Sequence, residues 1–243
     1  MMWIGTTLFW YFILFLIGVV FVPTARFLFP QAPDRGYPFA KTIGIIAITY
    51  AMFLFGVLHV ASFTSLTLYF LLALFAIGNY WIFKKTRLPG APFNKTLVVI
   101  EEGLFLAALI ALAFMRGQEP SIHGLEKFMD YGFMQSILRS THFPPADMWY
   151  TPLPINYYYF GHMSGAILIK LTNIAASIGY NLILATIFAE GICLAFSLTV
   201  MIVTRTQNLL FTKALSFTRT LVFGLLGAVL VNTIGNLHTI YLF

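Results

Sequence analysis

Charge is what this sequence has least of. Of its 243 residues only 9% are Asp, Glu, Lys or Arg, against about 25% in a soluble domain. So few charges cannot cover a water-facing surface, which excludes an ordinary soluble globular fold. A mean hydropathy of +0.88 makes the bilayer the solvent. Cysteine is nearly absent. The single Cys193 excludes an internal disulfide and any CxxC metal or redox motif, and reads as a small residue facing lipid or a helix. Basic runs interleaved with aromatics are missing too, which excludes a nucleic-acid partner. The net charge of +6 instead reflects orientation and anionic headgroups. No internal repeat or low-complexity stretch is present, so an inverted-repeat transporter has no support. Met1-Met2-Trp3 offers no basic n-region and no small-residue cleavage site. The first apolar stretch therefore reads as a retained helix rather than a signal peptide.

What is there is a series of long apolar runs. A spanning helix needs about 20 mostly apolar residues. The pattern predicts an all-α polytopic bundle of about seven spanning helices in a single transmembrane domain, at 3–22, 42–60, 63–83, 96–115, 155–173, 180–203 and 220–240. Pro23 is expected to stop the first helix. Pro30, Pro33, Asp34-Arg35-Gly36 and Pro38 mark the turn that follows. A polar loop, 116–154, separates the fourth and fifth spans. Counted on this topology, eight Lys/Arg (Arg26, Arg35, Lys41, Lys84, Lys85, Arg87, Lys95, Lys170) fall on one side and six (Arg116, Lys127, Arg139, Arg205, Lys213, Arg219) on the other. The positive-inside rule leans toward an extracytoplasmic 116–154 loop.

That loop holds four of the eight acids: Glu119, Glu126, Asp130 and Asp147. Three of the five histidines belong to it, if His162 is counted with His123 and His142. Residues Glu126 to Ser140 can form a short interfacial helix, apolar side down, with Phe128, Phe133, Ile137 and Leu138 as its contacts. Glu126 and Asp130, four apart, then share a face. One carboxylate there can act as general base on an incoming hydroxyl. Two can hold Mg2+ or Mn2+ against a phosphate, so Asp130 and Glu126 are the candidate metal ligands. The plainer reading is a loop helix whose charges are solvated or paired, Glu126 with Lys127 or Arg139. Pro144-Pro145 ends the helix, and Asp147-Met148-Trp149 turns the chain back. Asn156-Tyr157-Tyr158-Tyr159-Phe160-Gly161-His162 follows. Aromatics at such a place form an interfacial belt, yet Tyr158 and His162 are four apart and can face one polar cavity. His162 would be costly in lipid, so it faces protein or water. It either contacts a phosphate or supports a helix contact.

Elsewhere, Glu101-Glu102 lies one turn into the fourth span. Either the helix macrodipole favours it there or it belongs to an ion relay. Glu190, in the middle of the sixth span, must face the bundle. With His162 it carries the alternative reading of a transporter or channel. A non-catalytic scaffold is a third. His59 and His238, near helix ends, read as interfacial.

The string Glu126-Lys127-x-Met129-Asp130, then Ile137-Leu138-Arg139-Ser140, Pro144-Pro145-x-Asp147-x-Trp149 and Ile155-Asn156-Tyr157-Tyr158-Tyr159-Phe160-Gly161, resembles the YYY-type family of uncharacterised polytopic membrane proteins of bacteria and archaea. Pro33-Asp34-Arg35-Gly36, Lys41, Glu101-Glu102 and Gly235-Asn236-Leu237 extend the likeness over nearly the whole chain. It departs at Met148 and His238, where the family often has proline and aspartate. Family members are typically longer, which implies that this chain is an N-terminal portion continuing past Phe243. The family is distantly similar to GT-C glycosyltransferases, which take a sugar from a polyprenyl-phosphate donor and use an acid in an early extracytoplasmic loop, often with a metal. The resemblance implies Asp130 as base or metal contact and Glu126 as second. It also implies phosphate contacts from Lys127, Arg139 or His162, with Asp147, Trp149, Asn156, Tyr157, Tyr158 and Tyr159 around the substrate. It places the protein in the cell membrane of a bacterium or archaeon.

Overall fold

The computed structural model describes residues 2–85, 93–124, 126–210 and 216–234. Gly235-Asn236-Leu237, His238 and the last part of the 220–240 span lie outside these. Among the described residues there are eight helices: α1 Met2–Leu28, α2 Phe39–Val57, α3 Ser65–Lys85, α4 Lys95–Gln118, α5 Lys127–Arg139, α6 Phe160–Thr172, α7 Ala176–Leu210 and α8 Phe217–Thr233. No strand occurs among the described residues. Five of the helices (α1, α2, α3, α4 and α7) are long and apolar enough to cross a bilayer, and α8 is a shorter apolar helix of 17 residues. The protein is a polytopic helical membrane protein.

Two expectations need correction. Pro23 does not end α1, which runs on to Leu28. Proline removes one backbone donor but keeps a helical φ, and in a membrane a neighbouring helix can take up what the kink frees. Asn79 of α3 does so: its Oδ1 accepts from both the backbone N–H (3.1 Å) and the hydroxyl (2.6 Å) of Thr24.

The larger correction concerns the span expected at 155–173. Helix begins only at Phe160, and the 13 residues of α6 rise about 20 Å, short of the roughly 30 Å of a hydrocarbon core. Both of its ends lie at one face. At the start, Tyr159 and Phe160 pack on Phe53, in the last turns of α2. At the end, the Lys170 and Leu171 carbonyls accept from Ser65 Oγ (2.9 Å) and Tyr69 Oη (2.6 Å), in the first turns of α3. The chain then enters α7 from the same face, where Asn181 meets Arg116 at the end of α4. So α5 and α6 both sit at the face where α4 ends and α7 begins, and the crossing count falls below seven. The short helix expected at 126–140 is α5.

Redrawing the topology redistributes the cations. The connections at the α5–α6 face carry Arg116, Lys127, Arg139 and Lys170. Among the described residues the opposite face carries Arg26, Arg35, Lys41, Lys84, Lys85, Lys95, Arg205 and Arg219. Eight against four is a steeper asymmetry than eight against six.

The opposite face is tied together by charge. Lys41, in the first turn of α2, is buried and pairs with Glu102 of α4 at 2.6 Å. The same carboxylate accepts from Tyr11 of α1 and Tyr37 of the α1–α2 turn, both at 2.7 Å. Gly18 makes room for the lysine stem, since a Cβ there would meet Lys41 Cγ at 2.9 Å. The buried Asp34 caps its own turn through Gly36 N (2.8 Å) and accepts from Ser197 of α7. Glu101 is fully buried beside it. Glu102 thus ties α4 to α1 and α2, beyond what the helix macrodipole alone would favour. At Glu101 the tie to α7 runs through the backbone, whose carbonyl accepts from Cys193 Sγ at 3.3 Å.

Two predictions follow from this architecture. Lys41→Met strands a buried carboxylate and should lower stability in detergent by about 3–5 kcal/mol. The double variant Lys41→Met/Glu102→Gln should recover most of that loss, read as thermal unfolding. Cysteines placed singly at Ser121 and Ala175, in a Cys193→Ala background, should react with an impermeant maleimide from the same side of sealed vesicles. Reaction from opposite sides would mean that α6 crosses.

Candidate functional site

The α5–α6 face is built on a long loop that the bundle pins at several points. Phe143 is buried against Phe63, and its backbone N–H reaches Gly56 O at 3.3 Å. A Cβ at Gly56 would strike the Phe143 ring, so glycine there admits the loop to the end of α2. Phe63 N donates to Thr141 O at 2.7 Å. An isolated antiparallel bridge joins Ala146 to Pro154, flanked by Asp147 N to Leu153 O (2.8 Å) and Ile155 N to Pro145 O (3.0 Å). Within this pinned loop, Gly132 of α5 accommodates the Met148 side chain.

Asp130 and His162 meet on this scaffold. The one is in the first turn of α5, the other in the first turn of α6. His162 Nε2 lies 3.1 Å from Asp130 Oδ1. The Asp130 side chain keeps about a third of its surface open (34%) and His162 about a fifth (19%). The carboxylate is thus partnered but not sealed. The imidazole edge rests on Phe133 at 5.7 Å, and His162 Nδ1 is buried with no hydrogen-bond partner. A histidine locked this way sets the direction of the carboxylate it bonds.

A cavity of about 370 Å³ opens beside the pair. Asp130, His162 and Tyr158 form its polar rim. Met134 and Gly165 floor it, and Tyr180, Ile183, Leu184 and Ile187 of α7 form its wall. Ile187 is 64% exposed on the outside of the bundle, so the apolar wall continues onto the lipid-facing surface. This is a cavity with a charged end at the membrane boundary and an apolar end in the bilayer.

The other singled-out residues spread around it. Glu126 stands exposed just before α5, with its backbone carbonyl accepting from Asp130 N (3.0 Å). Both acids lie within electrostatic reach of Tyr157. Tyr157 and Tyr158 stack at 3.9 Å and share a 2.5 Å hydroxyl–hydroxyl bond. That bond, with some desolvation and the nearby acids, pushes the Tyr157 phenol up to about 12. Tyr159 turns inward onto Phe53. Asn156 and Trp149 are exposed, the indole edge-on to Phe133 at 6.0 Å. Asp147 serves its own turn: Oδ1 accepts from the N–H groups of Trp149 (2.7 Å) and Tyr150 (3.1 Å). Lys127 and Arg139 do not line the cavity. Arg139 ends α5 nine residues from Asp130, about 14 Å along the helix. Among the described residues no ion pair joins Glu126 to Lys127 or Arg139.

Metal binding fits the residues poorly. Among the described residues no group of three or more His, Cys, Asp or Glu side chains is placed to hold an ion. Asp130 and Glu126 alone leave a divalent cation short of protein ligands. Sequence reasoning did not find Met134, Gly165, Tyr180, Ile183 or Ile187. Such wall residues carry no chemical signature until α6 is known to lie against the start of α7.

No curated protein and no solved structure matches the chain. A family model described as "Uncharacterized membrane protein (DUF2298)" matches residues 47–243, a stretch that contains α5, α6 and the whole Asp130–His162 cavity. By that match the chain belongs to this family of membrane proteins.

Proposed function

We propose that the protein is a membrane glycosyltransferase of GT-C type, using a polyprenyl-phosphate-linked sugar at the extracytoplasmic interface. One observation carries the reading: the Asp130–His162 pair stands at the mouth of a cavity whose other wall is the lipid-facing side of α7. A polyprenyl-phosphate sugar has the same two-ended character. Its tail stays in the bilayer and its reactive carbon sits at headgroup depth. The eight-to-four cation asymmetry of the described residues supports an extracytoplasmic α5–α6 face. The resemblance to the YYY-type family points the same way, by analogy of fold.

In this scheme Asp130 takes the proton from an acceptor hydroxyl as the new bond to the anomeric carbon forms. The bond from that carbon to the phosphate oxygen breaks, and the polyprenyl phosphate leaves. His162 is a positioning residue, donating through Nε2 to hold the carboxylate toward the cavity. Tyr157, Tyr158 and Trp149 offer aromatic faces for sugar rings. No step is assigned to a metal ion.

A second reading, transport through the bundle, draws on Glu190 of α7. It accepts from Thr42 at 2.7 Å and keeps its buried Oε1 without a partner. His162, its intended companion, is engaged with Asp130 instead, which favours the enzyme.

Full-length protein in proteoliposomes supplied with a polyprenyl-phosphate sugar separates the two. Asp130→Asn should lower sugar transfer by about 10²–10⁴-fold with insertion intact, and normal transfer by that variant refutes the assignment. His162→Gln, whose amide can still donate to Asp130, should retain more activity than His162→Ala. Solute or proton flux abolished by Glu190→Gln would favour transport.

A further inference from the structure

A second cavity, of about 690 Å³, opens at the same face between the start of α1, the end of α4 and the start of α7. It shares no lining residue with the Asp130 cavity. The two lie on different sides of the first turns of α7, where Tyr180 is within electrostatic reach of both Asp130 and Arg116.

Arg116 is its fixed point. The guanidinium donates from Nε (2.9 Å) and Nη2 (2.7 Å) to Asn181 Oδ1, and from Nη2 to Ser121 O at 3.4 Å. Asn181 is itself anchored, its amide donating to Pro120 O (3.1 Å) and Ser177 O (3.0 Å). An arginine that merely snorkels to the interface needs only water. This one is clamped, and every acceptor that clamps it is neutral. Its charge is oriented but not neutralised by an ion pair among the described residues. A guanidinium held like this is suited to a phosphate.

The charges are also ordered with depth. Arg116 belongs to the last turn of α4 and is half-buried. Glu119 lies just past that helix and is exposed. Its carboxylate turns to the Ser121 hydroxyl rather than to Arg116. That hydrogen bond, one from the Ser121 backbone and, more weakly, the nearby Arg116 charge hold it below the usual carboxylate range. Beneath them the wall is apolar: Ala113, Leu182 and the Trp3 ring, 5.8 Å from Phe114. Reading outward, the cavity presents an apolar wall, then a cation, then an anion. A glycerophospholipid with an amine headgroup presents acyl chain, then phosphate, then ammonium.

We propose that this cavity binds a zwitterionic phospholipid of the phosphoethanolamine class, its phosphate on Arg116, its ammonium against Glu119 and an acyl chain along Ala113 and Leu182. The site is independent of the glycosyltransferase reading and stands or falls separately.

The test is native mass spectrometry of the delipidated full chain, titrated with dioleoyl phosphatidylethanolamine or dioleoyl phosphatidylglycerol. The ethanolamine lipid should bind about tenfold more tightly than the glycerol lipid, the size of one charge-assisted contact. Glu119→Gln, an exposed change that leaves the fold alone, should bring the two lipids to equal affinity. Arg116→Met should weaken the ethanolamine lipid about tenfold or more. Soluble phosphorylethanolamine, at concentrations equal to the lipid, should displace none of it. Equal binding of both lipids by the unaltered chain, or a preference that survives Glu119→Gln, overturns the proposal. Full binding by a monodisperse Arg116→Met chain overturns the phosphate assignment, and displacement by soluble phosphorylethanolamine overturns the lipid as occupant.

Discussion

A lysine and a glutamate face each other at 2.6 Å inside the bundle, and much of the rest is arranged around keeping them there. Neither group is tolerable alone in a low-dielectric interior, because the loss of hydration exceeds what any single neutral contact returns. The carboxylate of Glu102 is therefore surrounded by Lys41, Tyr11 and Tyr37, which come from α2, α1 and the turn between them. The lysine Nζ sits over the Phe105 ring, 4.6 Å from its centroid, and the stem lies in the notch left by Gly18. One pair thus sets the relative rotation of α1, α2 and α4. Asp34 and Ser197 extend the same logic to α7. Hydrophobic burial cannot do this work in a bilayer, where lipid competes equally for every apolar side chain. Polar contacts decide which faces meet.

With the opposite face fixed, the α5–α6 face is free to be irregular. Its loop is held by single points of close packing, such as Phe143 against Gly56 and Met148 against Gly132. Of the two short helices, α6 lies over the ends of α2 and α3 rather than through the bundle, and α5 packs on α6. That placement brings Asp130 and His162 within 3.1 Å although they are 32 positions apart. It also leaves the start of α7 as a shared wall between two cavities of opposite character, one ending in a carboxylate and the other in a guanidinium.

Much of this was legible in the residues, and the misses have physical causes. Long apolar runs disclose spanning helices because composition and length suffice. That held for α1 to α4 and α7. Residues 155–173 misled because α6 is as apolar as a spanning helix: it packs against α2, α3 and α7 on one side, so its outward face need not be charged. Only hydrogen bonds from Ser65 and Tyr69 reveal that it stops short. Pro23 misled in the other direction, since Asn79 of α3 accepts from the Thr24 N–H beside the proline, a partner that local sequence does not show. At the candidate site, Asp130 stood out as one of four acids gathered in a single loop, and His162 as a polar group inside an apolar run. Asp147 stood out for the same reason, yet its carboxylate is spent on its own turn, a local demand that spacing alone does not distinguish from a site. Lys41 was counted only as a loop cation, because nothing in one sequence says which acid a buried lysine will meet.

Since α6 returns to the face it left, everything from residue 119 to residue 175 is an excursion whose two ends share one side of the bilayer. An excursion of that kind is neutral with respect to threading. It can lengthen, shorten or exchange its contents without inverting the direction of α7 or of any helix after it. The chemistry at this boundary is thereby decoupled from the orientation of the bundle, so the loop can diversify under selection while the Lys41–Glu102 framework stays as it is.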